Sequence, residues 1–258
     1  MPRCSEVSVL SFLSRFRRKL ATRSAPIPAP LRPEVPVQII GDVHGRLDLL
    51  DRLMGQLDPD VITVQVGDLI DRGDHSAEVL ARMREQTERG TWICLRGNHE
   101  EMMVNFLDDP AEAGPRWLRN GGLQTLASFG VGGVTQMAEA NALAAARDAL
   151  RDKMPAGLED WLRRRPVSWN SGNLWVVHAG ADPQRAMVEQ AAAHLVWGHP
   201  AFAQAPRADG IWVAHGHTVV EQPTAAQGRI AVDTGAYFTG RLTCALCLPS
   251  GEVSFRQI

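Results

Sequence analysis

Three short polar motifs concentrate carboxylate, imidazole and carboxamide side chains between positions 41 and 100: Gly41-Asp42-Val43-His44-Gly45, Gly67-Asp68-Leu69-Ile70-Asp71-Arg72-Gly73 and Gly97-Asn98-His99-Glu100. Two more follow, His178-Ala179-Gly180 and His215-Gly216-His217-Thr218. No thiol stands in any of these loops, and hard or borderline divalent cations take oxygen and imidazole donors. The available ligands are Asp42, His44, Asp68, Asn98, His178 and one of His215 or His217. Six mixed ligands suit two divalent cations with one carboxylate between them. A pair of ions ~3.5–4 Å apart generates hydroxide near neutral pH and clamps an in-line phosphoryl displacement. Arg72 offers a planar fork that can hold a phosphate through two bonds. His99 is free to protonate a leaving oxygen, with Asp71 or another carboxylate orienting its other nitrogen. A single Gly-Asp is usually a turn and a single histidine usually structural. Five such clusters in one chain, each after an apolar run, are not explained that way. His75, at an expected helix start, and His194, in an alanine stretch, stay outside the candidate site.

The elements that must position these side chains are legible from hydrophobic spacing. Val37–Ile40, Val61–Val66 and Trp92–Leu95 are short apolar runs ending at the first three motifs. Between them Leu47, Leu50, Leu53, Met54 and Leu57 recur at helical spacing, and Val79, Leu80 and Met83 do so more weakly. The pattern is strand–loop–helix repeated, an α/β arrangement in which a parallel sheet brings its carboxyl ends to one edge. A helical region then spans about 108–165. It includes the alanine-rich Thr135–Lys153 and a buried face of Trp117, Leu118, Leu123, Leu126 and Phe129, with Gly121-Gly122 marking a tight turn. It is expected to lie as an insertion over the site. Strands resume at Leu174–Val177 and Ile211–Ala214. The last three, Arg229–Val232, Leu242–Leu248 and Val253–Arg256, lie close together, which predicts an antiparallel second sheet.

The 258 residues can bury a substantial core, and 45% hydrophobic with 22% charged residues is ordinary for a globular protein. The net charge of −2 is unevenly spread: residues 1–33 carry seven basic side chains against Glu6, which leaves the remainder acidic. Residues 1–35 are expected to be a basic, proline-rich extension to a domain covering 36–258. Within it, Val7–Leu20 could form an amphipathic helix that docks a partner or a membrane surface. The core lacks a basic stripe interleaved with aromatics, so no nucleic-acid partner is expected. Four cysteines are too few for a disulfide framework, and Cys244 and Cys247 fall on opposite faces of an expected strand. No apolar run approaches a membrane span, and the charges around Val7–Leu13 are in the wrong order for a secretory signal, so the expected location is cytoplasmic.

The motif series Gly-Asp-Val-His-Gly, Gly-Asp-Leu-Ile-Asp-Arg-Gly, Gly-Asn-His-Glu, His-Ala-Gly and Gly-His-Thr resembles the phosphoprotein phosphatases of the calcineurin-like metallophosphoesterase superfamily, most of all the bacterial and phage branch. The resemblance covers about residues 36–258 and implies two packed mixed β-sheets flanked by helices. It implies one metal ion on Asp42, His44 and Asp68 and a second on Asp68, Asn98, His178 and His217, with Asp68 as the bridge. It assigns Asp71 and His99 to leaving-group protonation, Arg72 and Asn98 to the substrate phosphate, and manganese as the expected metal, with iron or zinc as alternatives. The segment Asp233-Thr234-Gly235 to Thr243 is similar to the family's closing strand pair. One departure stands out: relatives carry a second phosphate-binding arginine in a Trp-x-Arg context, where this chain has Trp197-Gly198-His199. Arg185, Arg116 or Arg119 could substitute.

The expected function is a phosphomonoesterase acting on phosphoserine and phosphothreonine in proteins or on small phosphate esters. Two alternatives are a dinucleoside polyphosphate hydrolase and a phosphodiesterase or nuclease, the last suggested only by the His215-x-His217 spacing. A deep pocket with an aromatic wall near Arg116, Trp117 and Arg119 would favour the nucleotide, and an open groove the protein.

Overall fold

β1 (Val37–Ile40), β2 (Ile62–Gln65) and β3 (Trp92–Cys94) form the parallel heart of the first sheet. All four residues of β1 are buried, as a strand covered on both faces requires. The computed structural model describes residues 28–258. The expected helix at Val7–Leu20 and most of the basic arm lie outside the described residues.

The second sheet has a parallel centre: β5 (Leu174–Val177), β6 (Trp212–His215) and β8 (Arg229–Ala231). Its edges, β4 (Ser168–Ser171) and β7 (Thr224–Ala226), are antiparallel, giving the order β4-β5-β6-β8-β7. The chain then returns to the first sheet. β9 (Thr243–Cys247) pairs antiparallel with β1, and β10 (Val253–Gln257) antiparallel with β9, so that sheet runs β10-β9-β1-β2-β3.

Both sheets are therefore mixed, and the expectation of an antiparallel second sheet from the last three strands is corrected. Only the β9–β10 hairpin is antiparallel in the way expected, and it joins the first sheet. β8 stays in the second sheet, parallel to β6. The crossing is made by residues 232–242. There the four-residue helix Ala236–Thr239 is bracketed by Gly235 and Gly240 in the left-handed conformation, which glycine adopts without a Cβ clash.

Alternation sorts the side chains between two cores. Val37 and Ile39 face the second sheet with Val64, Val66, Leu95, Leu174, Val176, Ala214, Ile230 and Val232. Ile40 and Cys94 face the helices, α1 (Leu47–Met54) and α2 (Ser76–Glu88), through Leu49, Leu50, Leu53, Leu80 and Met83. Cys244 packs in the helix-side core and Cys247 between the sheets; both are buried free thiols, pushed up to about 12 by burial.

The helical block consists of α3 (Asn98–Asp108), α4 (Pro110–Trp117), a π-helical turn (Leu118–Gly122), α5 (Leu123–Ser128), α6 (Ala140–Lys153) and α7 (Leu158–Arg163). Helix α6 begins five residues later than the sequence pattern predicts. Gly121-Gly122 makes a kink within a continuous helical path rather than a reversal. A short helix, α8 (Ala192–Trp197), precedes β6.

Packing begins N-terminal to the expected domain boundary. Leu31 is buried between the sheets, and the backbone amide of Arg32 and the carbonyl of Ala29 bond to Asn173 and Trp212 of the second sheet region. Among the described residues no helix is long and apolar enough to cross a membrane.

Candidate active site

The carboxyl ends of β1, β2, β3, β5 and β6 deliver Asp42 and His44, Asp68 to Arg72, Asn98 and His99, His178, and His217 to one place. The backbone there is unusual. Six non-glycine residues have positive φ among the described residues, and five are His44, Asp68, Asp71, Arg72 and His217. A left-handed conformation costs an L-residue roughly 1–2 kcal/mol, so the fold holds these ligand loops in shapes their residues do not prefer. Close approach adds a second demand: a Cβ on Gly216 would stand 1.9 Å from Asp42 Oδ1.

Asp68 lies at the centre. Its Oδ2 is 3.6 Å from His44 Nε2, 3.4 Å from His178 Nε2 and 3.9 Å from His99 Nε2. Its Oδ1 accepts the backbone amide of His99 in the first turn of α3 at 3.0 Å, where the helix dipole favours an anion. Two sets of three ligating atoms, each within 4.8 Å of one another, share this carboxylate: His44–Asp68–His99 and Asp68–His178–His217. Asn98 Oδ1 lies 2.8 Å from both His178 Nε2 and His217 Nδ1. Asp42 sits beneath, with the amide of His217 3.1 and 3.2 Å from its two oxygens.

The alternative between His215 and His217 resolves by orientation. His215 turns away, its ring 5.0 Å from Phe202 and its Nδ1 on the carbonyl of Gly216. The rings that face the centre are oriented by carbonyls on their far side: His44 Nδ1 to Ile70 O at 2.7 Å and His178 Nδ1 to Val66 O at 3.1 Å. A donating Nδ1–H leaves each Nε2 lone pair aimed inward, the arrangement found behind metal-bound imidazoles.

The electrostatics fit a cation. Asp42 is raised well above the carboxylate range by burial and by Asp233 and Asp68 beside it. Asp233 and Glu100 are raised too, each first by burial. Asp68 is instead held well below its ordinary value, burial being outweighed by His178, His99 and His44, so divalent cations would supply compensation chiefly for the other three buried carboxylates. His44 is pushed down to about 3 and His217 to about 4, each first by burial, so both rings are neutral and available as ligands.

Beside this centre, His99 Nδ1 bonds Asp71 Oδ2 at 2.6 Å. Burial alone would lower the imidazole, but Asp68 and Asp71 outweigh it, and His99 is held above its ordinary value. Burial also raises Asp71 against the opposing pull of His99 and Thr125. Both shifts go upward, so the pair keeps its proton to higher pH than a free imidazole would. Asp71 is clamped in turn. Thr125 Oγ1 donates to Oδ1 at 2.6 Å, and the indole of Trp117 donates at 3.0 and 3.1 Å. Trp117 is therefore wholly buried rather than a surface wall of the site. The amino groups of Arg72 reach His44 Nε2 and His99 Nε2, each at 3.2 Å, and its guanidinium lies 4.6 Å over the Tyr237 ring.

Four residues contribute here in ways the sequence reading does not assign. Thr125 and Trp117 carry no local signal, because only the packing of α5 on α2 and of α4 on α3 brings them to Asp71. Tyr237 comes from the crossing between sheets. Glu100 did have a signal, an acidic residue three positions after a helix start. Its carboxylate accepts the amides of Gly97, Asp68 and Leu69 at 2.7–2.8 Å and ties the second and third motifs together. His75 caps α2 at an exposed position, outside the centre. His199 stands near Asp182 (3.9 Å) with its ring against His194. Of the three candidate substitutes, Arg185 pairs with Asp182, Arg116 stacks over Trp197 at 4.1 Å, and Arg119 lines the same cleft as Arg72.

The model of the calcineurin-like phosphoesterase family matches residues 35–221. The chain belongs to that family. This phosphoesterase is 28% identical over 247 residues to bis(5'-nucleosyl)-tetraphosphatase PrpE [asymmetrical] of Halalkalibacterium halodurans, covering 85% of this chain and 92% of the relative. Serine/threonine-protein phosphatase 1 of Salmonella typhimurium is 38% identical, but over 90 residues, 33% of this chain and 38% of its own. Among solved structures, one described provisionally as a diadenosine tetraphosphatase superposes with a TM-score of 0.60 at 18% identity, covering 90% of this phosphoesterase and 98% of that chain. A yeast protein serine/threonine phosphatase gives 0.58 at 13% identity, covering 90% and 84%. At these identities the likeness is one of fold.

Proposed function

We propose that this phosphoesterase hydrolyses dinucleoside polyphosphates, cleaving a phosphoanhydride of a bis(5'-nucleosyl) tetraphosphate. What supports this over the expected serine/threonine protein phosphatase is the reach of the likeness. It runs along most of both chains for PrpE and along a third of this chain for the protein phosphatase. The geometry is compatible: a cleft of about 410 Å³ lined by Arg72, Arg119, Gln124, Gln136 and Tyr237 opens beside the site, and polyphosphate is an arginine ligand. The phosphodiesterase reading loses its motif, since His215 does not face the centre.

In this reading two divalent ions, manganese first, are held by Asp42, His44 and Asp68 and by Asp68, Asn98, His178 and His217. When bound they supply Lewis acidity and a nucleophilic water. Arg72 and Asn98 hold the phosphoryl group under attack. His99, oriented by Asp71, gives its proton to the oxygen that leaves when the phosphorus–oxygen bond breaks. The test is the metal-stripped protein reloaded with manganese and offered diadenosine tetraphosphate or a phosphothreonine peptide. The expected result is a higher kcat/KM on the nucleotide; a higher value on the peptide would return the protein phosphatase reading to first place.

A further inference from the structure

Tyr237 is 37% exposed and Phe238 60%, and they are the only aromatics among the exposed large apolar side chains of the described residues. They are adjacent in sequence and their rings meet edge to face at 4.8 Å. Tyr237 is anchored inward: its ring meets His44 at 5.4 Å and carries the Arg72 guanidinium at 4.6 Å. The segment that presents them is held at several points. Thr239 Oγ1 donates to the carbonyls of Thr234 and Gly235, and Arg46 donates to the carbonyl of Ala236. Phe238 packs an edge so close to Gly235 that a Cβ there would stand 2.4 Å from its Cε1. The structure thus fixes an aromatic face toward solvent at the rim of the site, two ring contacts from the phosphate-binding guanidinium.

We propose that Phe238, backed by Tyr237, is the platform on which one nucleobase of the substrate stacks while Arg72 holds the phosphoryl group. The proposal rests on the dinucleoside polyphosphate reading and names the residue that would make the site prefer a nucleotide over a bare polyphosphate. Any base offers a π-face, so the platform selects for a base without selecting which one. Its test is the ratio of kcat/KM for diadenosine tetraphosphate to that for inorganic tripolyphosphate, measured on manganese-loaded full-length protein. Loss of base–aromatic stacking is worth roughly 5- to 150-fold. Phe238→Ala is expected to lower the ratio about tenfold, mostly through KM. Phe238→Leu, which keeps an apolar contact on Gly235, should lower it similarly, and Phe238→Trp should keep or raise it. An unchanged ratio in Phe238→Ala and Phe238→Leu, with the wild type active on the nucleotide, would overturn the platform alone. A wild type that cleaves tripolyphosphate but not diadenosine tetraphosphate would overturn the reading beneath it, and the platform with it.

Discussion

At the scale of single residues the proposed chemistry turns on one proton. His99 and Asp71 share a 2.6 Å bond, and the surroundings favour the protonated pair. If that proton goes to the leaving oxygen, its value depends on the leaving group. His99→Asn should retain its metals yet lose roughly 10²–10⁴ in kcat on phenyl phosphate. It should lose far less on p-nitrophenyl phosphate, whose leaving group needs no proton. Equal losses on both would remove the general-acid role. The sign of the pH dependence follows. The acid works while protonated, so kcat/KM should fall as pH rises through the titration of His99. His99→Asn should flatten that alkaline limb. The clamp on Asp71 is testable separately. Thr125→Val removes the hydroxyl that donates to Oδ1, and a buried carboxylate losing one bond costs about 1–3 kcal/mol. A fall in kcat of about tenfold with unchanged metal content is the expected outcome; wild-type kcat would show that Trp117 suffices.

At the scale of elements, the site depends on helices that no active-site motif specifies. Gly121 interrupts the path from α4 to α5 with φ of 108°, and its carbonyl accepts the amide of Arg72 at 3.4 Å. A Cβ at Gly121 would stand 2.6 Å from that amide nitrogen. Glycine to alanine within a helix normally stabilises, by about 0.4–1 kcal/mol. Here the sign should reverse. Gly121→Ala meets both a left-handed backbone and the Arg72 loop, so the melting temperature is expected to drop by about 3–8 °C. KM for the phosphate substrate should rise with it. An unchanged or higher melting temperature would mean that α4 and Arg72 are not mechanically joined.

At the scale of the whole molecule, the two sheets converge on a centre with more buried carboxylate than the protein itself neutralises. Metal removal should therefore lower thermal stability as well as abolish turnover, and manganese should restore both, since a ligand that binds only the folded state stabilises it. A chelated protein with an unchanged melting temperature would argue against ions at Asp42 and Asp68. Acid acts in two opposed directions: protonation relieves the crowded carboxylates Asp42, Glu100 and Asp233, whose values are raised, while the buried neutral histidines lose stability. His44 lies at about 3, and His215 and His217 at about 4, because burial disfavours their charged forms. The unfolded chain binds these protons near pH 6.5, before the folded chain does. Their contribution is thus complete above that value and is lost as pH falls toward 4, at about 1.4 kcal/mol for each tenfold difference in proton affinity between the folded and unfolded chain. The histidine part is isolated by comparing the urea midpoints of the metal-free wild type and His215→Gln at pH 7 and at pH 4.5. The variant lacks one of the three groups, so its midpoint should gain on the wild type's as pH falls from 7 to 4.5, and parallel curves would remove His215 from the account.

The ligand set and the strands that carry it were legible because they are local. A strand ends, the chain turns, and the residues in the turn are polar whatever happens elsewhere. That logic located Asp42, His44, Asp68, Asp71, Arg72, Asn98 and His99 on one edge of the first sheet and His178 at the end of a strand that the fold places in the second. The partition of the strands was not legible, because Arg229–Ala231 and Thr243–Cys247 look alike in sequence and only the crossing at Gly235–Gly240 sends them to different sheets. β4 and β7 were missed because edge strands of Ser-Trp-Asn-Ser and Thr-Ala-Ala carry no apolar alternation. His215 and His217 differ by two positions; spacing left them open, the family resemblance favoured His217, and in the fold His215 packs on Phe202. The partners of Asp71 come from 46 and 54 positions away. Hydrophobic period and turn chemistry act between near neighbours and can be read along a chain, whereas the bonds that tune a buried carboxylate exist only once distant helices have packed around it.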